Sequence, residues 1–107
     1  MDNKSILKFS NPQFKEGINS TVRRGVKWAT IEGKVAIYDL NGIQHGWMEK
    51  PTSYVISFQD LKAEDLENQH DERTRTPLGL LQVMQEVYPG FRDAEIVTVL
   101  EFEVSNG

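Results

Sequence analysis

The sequence has no cysteine. That excludes disulfides, thiolate metal sites, iron–sulfur ligation and a thiol nucleophile together. Its only histidines, His45 and His70, stand far apart and without companions at metal-ligand spacing, so no metal and no other cofactor is expected. A triad drawn from Ser20 and either histidine has nothing but composition behind it. No apolar stretch approaches the ~20 residues that cross a bilayer. The segment Ile6-Leu7-Lys8-Phe9, which follows the polar start Met1 to Ser5, is too short and too polar for the core of a signal peptide. A cytoplasmic location without a membrane partner is the expectation. Internal repeats, linkers and low-complexity tracts are also missing.

What is present fits one domain. The 107 residues are 38% hydrophobic and 26% charged, ordinary values for a folded globular chain. The net charge of -4 is unevenly spread: residues 1–34 carry seven Lys/Arg against three Asp/Glu, and the remainder carries five against thirteen. A basic first third on an acidic chain points to a local face for a polyanion.

Ile6 to Phe9 has strand composition and is interrupted by Ser10-Asn11-Pro12. Pro12 suits a first helical position, and Phe14 and Ile18, four apart, would share the inner face of a short helix over 13–18. Thr21-Val22-Arg23 reads as extended, with Gly25 as a bend. Val35, Ile37 and Leu40 precede Asn41-Gly42, a strong hairpin signal, and Gln44 to Met48 is the returning strand. A separate strand is expected over 53–58, where Tyr54, Ile56 and Phe58 alternate, followed by an acidic helix from Leu61 towards Gln69 capped by Asp60. His70 to Arg75 is a polar loop. Thr76-Pro77 then starts a helix with Leu80, Val83, Met84 and Val87 on one stripe, ended by Pro89-Gly90. Residues 95–104 form one long strand with Glu101 and Glu103 on its solvent face. Five or six strands and two or three helices, grouped around an early hairpin, indicate an α+β fold. Curling the strands into a small barrel would protect the sheet edges.

Taken together, the element order, the segment Gly17-Ile18-Asn19-Ser20-Thr21-Val22-Arg23 and the late helix ending Val87-Tyr88-Pro89-Gly90 before a final strand resemble the ASCH domain of the PUA-like superfamily. The resemblance covers nearly the whole chain and implies a partly open β-barrel with flanking helices that binds RNA or modified nucleosides. Within the family the chain is most similar to small bacterial amidohydrolases that deacetylate acetylcytidine through a Gly-x-Lys-x-x-Thr-x-Arg motif and a glutamate ahead of the late helix. The Thr-x-Arg part stands here as Thr21-Val22-Arg23. Counted from Gly17, Asn19 holds the lysine position, and the spacing to Thr21 is one residue shorter. Alignment back from Tyr88 puts Arg73 at the acidic position, with Glu72 just before it. If the chain is an enzyme, the resemblance makes Thr21 and Glu72 its catalytic pair, with Lys15 or Lys27 as the candidate replacement amine.

The resemblance tips the reading of these residues towards a binding module, the alternative being that Trp28 fills the barrel core and the arginines pair with the acidic half. Asn19, Ser20, Thr21, Arg23, Arg24, Lys27 and Trp28 combine fixed cations, short hydrogen-bonding side chains and one indole. Arginine forks onto phosphate, lysine adds a point charge, and an indole stacks on an unpaired base. Trp47 offers a second stacking surface or a core cap. RNA or a nucleotide is therefore the expected partner, an acylated nucleoside substrate the alternative, and a protein partner on the acidic 61–67 segment a third.

Overall fold

The structure is a computed structural model that describes residues 5–31 and 33–106. Its strands are β1 (Ser5–Phe9), β2 (Asn19–Arg24), β3 (Val35–Asp39), β4 (Gln44–Ser57) and β5 (Ile96–Ser105). They form one sheet in the order β1-β3-β4-β5-β2, curled into a half-barrel. β1 runs parallel to β3, and the other pairings are antiparallel. The α+β, partly open barrel architecture expected from the sequence is present. Among the described residues no helix is long and apolar enough to cross a membrane.

The β3–β4 hairpin turns where Asn41-Gly42 predicts. Gly42 takes φ 83°, and the Asp39 carboxylate accepts from the Asn41 and Ile43 N–H groups at 2.8 and 2.9 Å. Such side-chain capping of a turn is what aspartate offers over an apolar residue. His45 Nε2 lies 2.9 Å from the same carboxylate.

Three local expectations are corrected. Residues 13–18 form no helix, because the Asn19 side chain takes over their backbone groups. Its Oδ1 accepts from Lys15 N–H at 3.0 Å, and its amide donates to the Lys15 carbonyl at 2.9 Å. Phe14 still turns inward, 5.3 Å from the Phe9 ring centroid, while Ile18 is exposed. The two expected strands over 44–48 and 53–58 are one strand, β4. A bulge between Glu49 and Thr52 absorbs one extra residue opposite Glu103 to Glu101, with Lys50 at φ 51°. Pro51, which lacks the N–H a regular ladder needs, sits in that bulge. The acidic helix shrinks to α1 (Ala63–Leu66), and Asp60 lies in a 3₁₀ turn instead of capping it. Asp65 anchors α1, accepting from Lys62 N–H and from the Tyr54 hydroxyl, each at 2.9 Å.

α2 (Pro77–Val87) begins as expected, with Thr76 Oγ1 accepting from Gly79 N–H at 3.1 Å. It lies on one face of the sheet, where Leu80 and Met84 join Val22, Phe58, Leu66, Phe91, Val97 and Val99 in one core. A second core lies on the opposite face with Leu7, Phe9, Val35, Ile37, Met48, Leu100 and Phe102. β5 therefore contributes alternate residues to two cores, with solvent reaching it at Ile96 at one end and around Glu101 and Glu103 at the other. It is an inner strand packed on both sides, which explains its dense apolar composition.

α2 approaches the 3₁₀ turn Glu72–Thr74 so closely that a Cβ on Gly79 would overlap the Arg73 carbonyl oxygen. Gly79→Ala is expected to destabilise the fold by about 1–3 kcal/mol in urea titration through this overpacking. Gln82→Ala, exposed on the same helix, should stay within about 0.5 kcal/mol of the parent.

Candidate ligand site at the open seam

The sheet ends in two strands that do not pair with each other, β1 and β2, and the site lies in the gap between them. The backbone direction of β2 follows from its ladder. Gly25 N–H donates to the Ile96 carbonyl, so Arg23, Thr21 and Asn19 bond towards β5 while Ser20, Val22 and Arg24 turn outward. At Ser20 the outward groups are met by the 68–70 loop. Ser20 N–H donates to the Asn68 carbonyl at 2.7 Å, and His70 N–H to the Ser20 carbonyl at 3.1 Å. The Val22 peptide turns the same way, one step further along the edge.

Beyond the loop the seam opens into a cavity of about 380 Å³. Phe9, Val22, Leu80, Val83, Met84 and Val87 give it apolar walls. Thr21, Arg23, Gln69, His70, Asp71, Thr74 and Tyr88 supply polar groups, with Lys8 and Leu40 also lining it. Gln69 is locked: its Oε1 accepts from Thr74 Oγ1 at 3.1 Å and its Nε2 donates to Ser20 Oγ at 2.8 Å. One amide hydrogen is left over.

Arg23 crosses the seam. Its Nη1 donates to the Lys8 carbonyl on β1 at 2.8 Å, and the guanidinium carbon lies 4.5 Å from the Phe9 ring centroid. Its Nε is buried with no hydrogen-bond partner among the described residues. Burial pulls its pKa down from 12.5 to about 10, with the Tyr88 hydroxyl acting in the opposite sense. The group is still a cation near neutrality, but a poorly solvated one.

His70 packs edge-on against Phe9 with ring centroids 5.0 Å apart, and its Nδ1 lies 3.2 Å from the Ser20 carbonyl. A carbonyl can only accept, so that contact selects the tautomer protonated on Nδ1. Burial lowers the imidazole pKa, partly offset by the Ser20 carbonyl. Asp71 is held low despite its burial, through hydrogen bonds from Arg73 N–H and Asn11 and from the Arg73 guanidinium. His70 and Asp71 also line a second, more open groove of about 420 Å³ with Asn11, Gln13, Phe14, Lys15, Glu72, Arg73 and Arg75.

The basic run is thus divided by its own strand. Thr21 and Arg23 line the cavity. Asn19 and Ser20 are buried and occupied with the backbone of 15–17 and with Gln69. Arg24 points elsewhere and forms a two-pronged pair with Glu95 at 2.6 and 3.2 Å. Lys27 lies 5.4 Å from the Trp28 ring, and the half-buried indole packs against the core of Phe9, Ile37 and Phe102. Trp47, also half-buried, has Lys34 over its ring. Glu72 lies in the outer groove and does not line the cavity with Thr21. Sequence reasoning missed Gln69, His70, Asp71 and Tyr88 as cavity residues. Only the Tyr88-Pro89-Gly90 stop signal pointed near one of them. No family model, curated protein or solved structure matches the chain.

Because the folded His70 has a pKa below its usual 6.5, it binds a proton less readily than the unfolded chain does. Its contribution to stability is complete above that value and is lost as pH falls through the folded pKa. The thermal midpoint should decline as pH goes from about 7 to about 5, and His70→Gln should flatten the decline.

Proposed function

We propose that this chain is a nucleotide- or RNA-binding module of the ASCH type whose seam cavity takes one unstacked base or nucleoside. The observation that carries the reading is the cavity itself: an apolar-walled space of about 380 Å³ with Thr21, Gln69 and a poorly solvated Arg23 among its lining groups. That volume is in the usual range for small-molecule sites, about 300–1,000 Å³. A base has a flat face suited to the half-buried Tyr88 ring and edge acceptors suited to the Thr21 hydroxyl and the spare Gln69 N–H. A ligand acceptor near Arg23 would also supply charge-assisted hydrogen bonds to a guanidinium incompletely satisfied by the protein.

An amidohydrolase on acylated cytidine or a related nucleoside is the second reading. One observation favours it: Lys8 and Thr21 both line the same cavity. Release of cytidine from acetylcytidine, lost in Thr21→Ala, is its readout.

For the binding reading, titration calorimetry with nucleosides and short unpaired RNA is the test. Val83→Trp, at a half-buried wall position, should fill the cavity and weaken binding by at least about tenfold, which corresponds to 1.4 kcal/mol. Arg23→Met should bind as poorly while melting no more than slightly below the parent, because it removes a half-buried cation with a buried, unpartnered Nε along with its contacts. Binding undiminished in both variants would remove the cavity from consideration.

A further inference from the structure

We propose that the outer groove beside the cavity is a phosphate subsite formed by Lys15, Arg73 and Arg75, so that the ligand is a phosphorylated nucleotide unit and not a free nucleoside. This rests on the reading of the cavity given above. The two spaces are adjoining compartments, since His70 and Asp71 line both. With its base in the seam, a ligand would have to pass the His70 imidazole that lines both spaces to reach the groove.

The charges in the groove are arranged for an anion. Lys15 Nζ donates to the Asn68 side-chain carbonyl at 3.1 Å, and Arg75 Nε donates to the Gln69 backbone carbonyl at 3.0 Å. Both cations are positioned by neutral oxygens, and among the described residues neither meets a carboxylate. Arg73 has only a long contact to Asp71, 3.4 Å, and its side chain is 61% exposed. Asp71 and Glu72 also line the groove, giving three positive side chains against two negative ones. Asp71, held ionised by Arg73 and Asn11, and Glu72 are the carboxylates that oppose an incoming anion, and Asp71 already draws on the Arg73 guanidinium. Arginine forks and a lysine point charge are the usual means of holding phosphate oxygens. By contrast, Arg24 is already paired with Glu95, and Lys27 lines neither space.

Calorimetry with cytidine, cytidine 5′- and 3′-monophosphates and a short unstructured RNA tests this. The phosphorylated ligands should bind about tenfold more tightly than cytidine at low salt. Lys15→Gln/Arg73→Gln should erase that ratio, Glu72→Gln should enlarge it, and Lys27→Gln should leave it intact. A gain already present with a monophosphate identifies a terminal phosphate, and a gain only with RNA identifies a chain phosphodiester. Equal binding of cytidine and all phosphorylated forms, or a ratio that survives Lys15→Gln/Arg73→Gln, overturns the subsite. Amide shifts on adding inorganic phosphate separate the two claims. Absence of response at Lys15, Arg73 and Arg75 overturns the subsite, whereas response there without any nucleoside binding overturns the cavity reading alone.

Discussion

A curled sheet whose two end strands never meet must deal with the backbone groups along both free edges. A buried peptide group without a partner costs as much as a lost hydrogen bond, and an exposed edge invites pairing with another chain. This chain closes the edges by three means. The 68–70 loop pairs with Ser20, the Arg23 guanidinium reaches the Lys8 carbonyl, and α2 lies across what remains. The closure is incomplete, and the space left over is the cavity.

Much of the surrounding structure supports that closure. Asn19 fixes the turn that brings Phe14 and Lys15 beside His70, and Gln69 ties the loop to β2 on one side and to Thr74 on the other. Gly79 lets α2 come down onto the same loop. Buried polar chains of this kind are rigid when every member is satisfied. Two members are incompletely satisfied among the described residues: Gln69 keeps one amide hydrogen free, and Arg23 Nε has no partner. An unpartnered Nε on a half-buried cation weakens the empty protein, and an acceptor that reached it would relieve that cost.

The legible parts of the sequence were those governed by local chemistry. Asn41-Gly42 specifies its turn through φ, Thr76-Pro77 specifies a helix start through hydrogen bonding, and the apolar density of 96–104 specifies a strand. Residues 13–18 were misread because an amide at Asn19 outbid the helical pattern of Phe14 and Ile18, a competition that only the folded position of Asn19 decides. β4 was divided at Pro51 because a bulge is a property of two strands in register and not of one. For the site, Arg23 and Arg24 looked alike as composition, yet adjacent strand residues face opposite sides. That alternation alone sends one arginine into the seam and the other to Glu95. The partners of Thr21 came from a loop nearly fifty residues away, held by a Ser20–Gln69 bridge that no local pattern announces.

The central claim is that the seam between β1 and β2 holds the base of a nucleotide. Isotope-filtered NOEs between an unlabelled nucleotide and the methyl groups of the labelled protein test it most directly. Contacts from the base protons to Val22, Leu80, Val83 and Met84 are the predicted result. Contacts confined to the surroundings of Trp28 and Trp47, or none at a saturating ligand concentration, would contradict it.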